Sequence, residues 1–450
     1  MPEAERSQYS PRHAITPPAK RREHLRIKYF RLSANSARRA GVTAVDQGVA
    51  SLSNFGVGAV VGHATGPEGL GAFALAYTLW ILLINLHRSL ITDPMAILGD
   101  ARADATEIRD RVRTGLAAEV VLAVAASALL ATGGAVLIGT GHVTFGDGLL
   151  AFAPWTLVLN MQDFWRWMGF LLGQPEKSLV NDVVFNVVQG IGFAIVLWCR
   201  WTSVFVVVAA WGLGGAVSAL WGLRQFGVRP TLRNGVGLLR KRWSVSRWLV
   251  GASMVGWASS SVSSVVVASV LGASALGGLK AAGTLAWGPL AVVMQAGTSF
   301  GLPEATRMLA EHGLGGLRKV SMTISGLAAL VAAVSGTVIL VAGGTLLSVL
   351  YGNAFRQYWV EAMLIAAAFL AGSLALGPSL SLKALARVRV LFALQGGTAV
   401  LSLGVTIVLA STWGVEGAAE ATLITAVGSL GAVTMLLRSA RKASGATSNH

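Results

Sequence analysis
Stretches of about 20 residues that carry one charge or none recur along the whole chain. Examples are 121–139, 203–220, 321–343 and 392–410. Each is long enough to cross a hydrocarbon core of roughly 30 Å as a helix. In lipid every backbone N–H and C=O must be bonded internally, so a chain of this kind is expected to be all-helical. Composition agrees. Charged residues make up 12% of the chain and hydrophobic ones 54%, whereas a soluble protein carries about 25% charged residues. The single cysteine, Cys199, leaves no intrachain disulfide and no thiolate metal cluster to consider.

Apolar patterning places spans at 39–62, 68–92, 114–139, 147–172, 178–198, 203–223, 247–271, 274–298, 320–343, 358–383, 389–411 and 415–437. The connections alternate in charge. Arg102, Arg109, Arg111 and Arg113 follow the second span, and Lys177 the fourth. Arg224, Arg229, Arg233, Arg240, Lys241 and Arg242 follow the sixth; Arg307, Arg318 and Lys319 the eighth; Lys383 and Arg387 the tenth. The opposite connections are short and hold only Arg200 and Arg356. This is the positive-inside pattern with both termini cytosolic. The basic residues are thereby accounted for, and no nucleic-acid partner is expected. The expected division is a disordered basic tail over 1–38, a six-helix bundle over 39–224, a cytosolic linker over 225–246, a second six-helix bundle over 247–437 and a tail over 438–450. Lys20, Arg21, Arg22, Arg26, Lys28 and Arg31 in the first tail set topology, and could also lie on anionic headgroups.

The halves match at an offset of 206 residues. Leu70-Gly71 falls on Leu276-Gly277; Ala76, Thr78 and Leu79 fall on Ala282, Thr284 and Leu285. Gln47, Ser51 and Asn54 fall on Ser253, Trp257 and Ser260, each set lining one helical face. Repeats of six spans have the same orientation, as in transporters that rock two bundles around a midplane site.

Charges inside spans are costly and tend to face a cavity or a partner. The first half offers an inner layer: Asp46, Arg88, then Asn160, Gln162, Asp163 and Arg166, then Asp182, Asn186 and Gln189. The second half offers Lys280, Glu361 and Glu420 toward the outer side. Arg88, Arg166 and Lys280, with Gln162, Asn186, Gln189 and Asn54, are candidates to bind an anionic, sugar-bearing cargo; guanidinium groups suit bidentate phosphate contacts. Asp46, Asp163 and Asp182 are candidates for a coupling ion or for pairing with the arginines. The alternative roles are structural: Asp46 paired with Arg88, Arg166 neutralised by Asp163 or Asp182, Lys280 snorkelling outward. Pro154, Pro289 and Pro378 should kink their helices. There is no GxxxxGK[ST], no HExxH and no cysteine/histidine metal spacing. No cofactor or metal is expected, and the work would come from a proton or sodium gradient or from the downhill flux of the cargo.

Two stretches resemble a known family. Asp46-Gln47-Gly48-Val49-Ala50-Ser51-Leu52-Ser53-Asn54-Phe55, followed by Gly69-Leu70-Gly71-Ala72-Phe73 and Pro94, is similar to the opening of bacterial O-antigen-type polysaccharide flippases. Gln162-Asp163-Phe164-Trp165-Arg166, with Gly173-Gln174-Pro175, Asn181-Asp182 and Gln189, is similar to their fourth and fifth spans. These flippases belong to the multidrug/oligosaccharidyl-lipid/polysaccharide exporter superfamily. The resemblance implies transfer of an undecaprenyl-diphosphate-linked oligosaccharide across the cytoplasmic membrane, among membrane lipids and alongside glycan assembly proteins. The competing expectations are an ion-coupled drug/cation antiporter of the same superfamily with Asp46 as its ion site, a lipid II flippase, a membrane glycan polymerase or ligase, and a non-transporting scaffold.

Overall fold
The structure is a computed structural model that describes residues 19–98, 105–228, 235–385 and 387–446. Every regular element among these residues is helical. The order is α1 (Ala19–Leu90), α2 (Thr92–Ile97), α3 (Ala105–Gly139), α4 (Val143–Phe152), α5 (Thr156–Leu171), α6 (Pro175–Trp198), α7 (Val204–Phe226), α8 (Gly235–Leu271), α9 (Ala273–Tyr351), α10 (Trp359–Ala384) and α11 (Val388–Ala446). Eight helices among the described residues are long and apolar enough to cross a membrane. This is a multi-pass membrane protein.

The three longest helices are broken by glycines with positive φ: Gly66 in α1 (φ 70°), Gly313 in α9 (φ 60°) and Gly414 in α11 (φ 66°). A side chain on Cβ disfavours this backbone conformation, so glycine marks where the chain can reverse. Gly66 and Gly414 fall in connections expected between spans, and so does Gly313. A short 3-10 turn, Ala153–Trp155, separates α4 from α5 around Pro154, the kink expected there. Pro378 is accommodated inside α10 without a break, and the Gly377 N–H donates to Ser325 Oγ of α9 at 2.9 Å.

Residues 19–38 are helical, the start of α1, not a disordered tail. Between Ala19 and Ala40 there is no glycine or proline, and Ala, Lys, Arg, Glu and Leu are strong helix formers. Of the tail, only 1–18 lies outside the described residues.

The largest core is aromatic. Phe73, Tyr77 and Trp80 of α1 meet Phe152 of α4 and Trp211 of α7, with Trp80 and Trp211 edge-to-face at 5.1 Å. Small residues bring helices together elsewhere, as is usual where lipid supplies no hydrophobic drive between helices. Gly222 of α7 receives the indole of Trp165, and Asn181 of α6 and Ser218 of α7 exchange bonds at 2.7 and 2.9 Å.

The closest crossing joins the two halves. A Cβ built on Gly71 would fall on the Ala273 carbonyl oxygen, and one built on Gly277 on the Pro67 carbonyl oxygen. The Gly71 amide nitrogen is 2.8 Å from that second position. Gly71 with Gly277, and Pro67 with Ala273, are partners under the 206-residue offset. The contact is therefore reciprocal: each half offers the same glycine to the same carbonyl of the other.

Candidate functional site
Most of the inner layer assembles within the first half. Arg88 of α1 grips Asp163 of α5 with both branches, Nε donating to Oδ2 at 2.9 Å and Nη2 to Oδ1 at 2.5 Å. Its guanidinium also lies 5.2 Å from the centroid of the Trp167 ring. Arg166, three residues beyond Asp163 and on the same helix face, places Nε 2.9 Å from Asp182 Oδ2 of α6. Gln162 donates to the other oxygen of Asp182 at 2.8 Å. Asn186 donates to the Asp182 backbone carbonyl at 2.7 Å, and Gln189 bonds Ser53 Oγ at 3.2 Å. Arg88, Gln162, Asp163, Arg166, Asp182 and Asn186 line one cavity of about 130 Å³. Both arginines thus face carboxylates. Arg88 pairs with Asp163, one of the two partners expected for Arg166; the side chain of Asp46, the partner expected for Arg88, lies outside the described residues, as does that of Asn54.

Lys280 stands apart from this layer. It lies on α9, with Nζ 5.5 Å from the centroid of the Tyr77 ring. It lines a second cavity, of about 450 Å³, between the halves. Hydroxyls of Thr78, Ser260, Ser264 and Thr284 and the rings of Phe73, Trp287 and Phe369 share that lining. Among the described residues no carboxylate lines it, and no ion pair engages Lys280. Tyr77 borders both cavities, so the charged layer and the cleft meet at one ring.

Two residues, His87 and Glu119, were passed over in the sequence; Asn160, noted with the inner layer, joins them. His87 Nδ1 is 2.7 Å from Glu119 Oε1 of α3 and 3.0 Å from Asn160 Nδ2 of α5. His87 is 5% exposed, Glu119 3% and Asn160 1%. The signal was present: Glu119 is the one charged residue in the span expected over 114–139.

No protein-family model matches this sequence, and no curated protein matches it. Solved structures do. An inward-facing multidrug-resistance MATE transporter of the MOP superfamily superposes with a TM-score of 0.68 at 12% identity, over 87% of this chain and 95% of that one. The lipid II flippase MurJ, in an inward closed conformation, also gives 0.68, at 10% identity over 89% of this chain and 87% of that one. A MOP-superfamily transporter from Pyrococcus furiosus, described for the reverse polarity of its binding pocket, gives 0.54 at 13% identity over 90% and 96%. At these identities the likeness is one of fold. The chain has the fold of the MOP-superfamily transporters.

Proposed function
We propose that this protein moves an anionic lipid-linked oligosaccharide, of the undecaprenyl-diphosphate type, from the cytosolic to the outer leaflet of the cytoplasmic membrane by alternating access. The observation that carries this reading is the polarity of the cleft between the halves. It offers one cation, Lys280, hydroxyls suited to sugars, aromatic rings and no carboxylate among the described lining residues. A site for cationic drugs would need the opposite charge. The arginines of the first half are offset by Asp163 and Asp182, which supports a structural role for those pairs and leaves the leading contact with the diphosphate to Lys280. Gln162 and Asn186 then line the inner approach.

The test is translocation of a fluorescent polyprenyl-diphosphate sugar in proteoliposomes. A charged hydrogen bond is worth about 1.5–3 kcal/mol, so Lys280→Ala should slow translocation by on the order of tenfold or more. Lys280→Arg should retain much of the rate, and Lys280→Glu should abolish it. Transport of ethidium in place of the lipid-linked sugar, indifferent to Lys280, would instead establish the cation antiporter.

The same reading places twelve spans in two parallel bundles, 39–224 and 247–437, with cytosolic ends. It draws support from the glycine reversals at Gly66, Gly313 and Gly414 and from the reciprocal contact of Gly71 with Gly277. Reporters fused after His450 and within 225–246 should both be active only on the cytosolic side. A periplasmic signal from either would break the span count.

A further inference from the structure
The inner layer of the first half is not balanced by its arginines alone. Among the described residues, three carboxylates, Glu119, Asp163 and Asp182, share it with two guanidinium groups, Arg88 and Arg166. Asp163 and Asp182 each hold an arginine. Among the described residues Glu119 holds only His87, and it is almost fully buried. Asp93 of α2, half-buried, also faces Arg88. Tyr77 approaches Arg88 from within α1. Among these buried groups, charge balances only when the His87–Glu119 pair carries one extra proton. A bare buried carboxylate in the membrane is costly, whereas a singly protonated imidazole–carboxylate pair is neutral as a unit.

The hydrogen bonding around Nδ1 points the same way. A single ring nitrogen cannot accept from Asn160 and donate to Glu119 at once. As placed, Asn160 Oδ1 is buried and has no partner. The two ends of an amide have nearly the same shape. Turning this one by 180° puts Oδ1 3.0 Å from Nδ1, where the nitrogen now sits. A proton on Nδ1 then lies between two acceptors, Glu119 Oε1 and Asn160 Oδ1, while the amide nitrogen takes the other position. Without that proton the amide turns back and donates to the bare nitrogen. The geometry thus offers Nδ1 one set of bonds with a proton and another without it.

We propose that His87 and Glu119, capped by Asn160, form the proton-binding site that couples translocation to a proton gradient. This rests on the transporter reading above. The proton comes from water, bonds to the pair and returns to water; no other bond is made or broken. The site belongs to the same layer as the Arg88–Asp163 and Arg166–Asp182 pairs, because His87 adjoins Arg88 and Asn160 lies one turn from Asp163. Its charge therefore changes the field in which those pairs are held.

Two measurements test the site. In proteoliposomes with an imposed pH difference, translocation of the polyprenyl-diphosphate sugar by the wild type should vary with that difference, by up to about tenfold per pH unit, the limit for one proton. Glu119→Gln and His87→Gln should make the rate independent of it. Retained dependence in both variants, or a wild-type rate that ignores the gradient, would overturn the proposal. Infrared difference spectra of the protein in lipid nanodiscs, taken between acid and alkaline pH, need no cargo. The wild type should show a carboxyl change that Glu119→Gln removes. If neither variant folds, the absence of any pH-driven carboxyl or imidazole change in the wild type overturns the site. Failure of the wild type to move the lipid-linked sugar, with the infrared change present, counts against the transporter reading and leaves the proton site standing.

Discussion

Replacing Arg166 by alanine is expected to reduce the amount of folded protein in the membrane, and replacing Asp182 as well is expected to restore much of it. Arg166 and Asp182 are 17% and 5% exposed, and their closest atoms are 2.9 Å apart. Removing one partner of such a pair strands the other charge, at a cost of about 3–5 kcal/mol. That is a large part of the margin of about 5–15 kcal/mol that usually separates folded from unfolded. Arg166→Ala with Asp182→Asn removes both charges and leaves Gln162 an amide to bond. Arg166→Lys should fall between, since it keeps the charge and loses the planar fork. Membrane protein level and translocation rate are read together. If Arg166→Ala folds normally yet moves no cargo, and the double variant does no better, Arg166 itself touches the diphosphate. If the double variant regains both folding and translocation, its role is to neutralise Asp182.

The largest functional effect should come from the crossing of the halves. Valine at Gly71 or at Gly277 would drive its Cβ into a backbone carbonyl, which has no rotamer by which to yield. The crossing cannot then close. A penalty of several kcal/mol on one of two states shifts their populations by on the order of 10³-fold or more. Either variant should be held with its outer side open and should lose translocation, while remaining folded. The measurement is thiol accessibility in a Cys199→Ser background, because the native cysteine is exposed. A cysteine placed at Thr284, beside Lys280, should react with a membrane-impermeant reagent added outside much faster in Gly71→Val than in the background protein. Equal rates would mean that this crossing is not the outer closure. Gly71→Ala and Gly277→Ala should show the same effect in weaker form, and to similar degrees, since each glycine meets a backbone carbonyl at similar range.

Much of this was legible in the sequence because cost in a membrane is so sharply graded. Arg88, Gln162, Asp163, Arg166, Asp182 and Asn186 stood out as polar residues at similar depth, and depth alone brought them into one cavity. Which acid holds which base was not legible. Asp163 is three residues from Arg166 and still bonds Arg88, because the rotation of α5 against α1 and α6 decides the pairing. The His87–Glu119 pair was missed because each residue was weighed alone: a histidine beside a more conspicuous arginine, and one acid in an otherwise uncharged span. The helix over 19–38 was missed because basic residues and a terminal position suggested disorder, when local propensity favoured helix throughout. The glycines at 71 and 277 were visible as a repeat match, but only the packing shows that they meet.

That meeting point also fixes where motion is large and where it is small. Lys280 follows Gly277 by three residues, about 4.5 Å along the helix axis, whereas Glu311 near the far end of the same segment is about 51 Å away. If the crossing acts as the fulcrum while the cytosolic mouth opens, a swing of about 10° would carry the far end through roughly 9 Å and Lys280 through less than about 1 Å. The short arm of this lever carries the charge and the long arm carries the entrance. A bulky headgroup could then be admitted and enclosed while its anchoring contact hardly shifts, and the strain of each swing would fall on the cytosolic ends, where connections can absorb it.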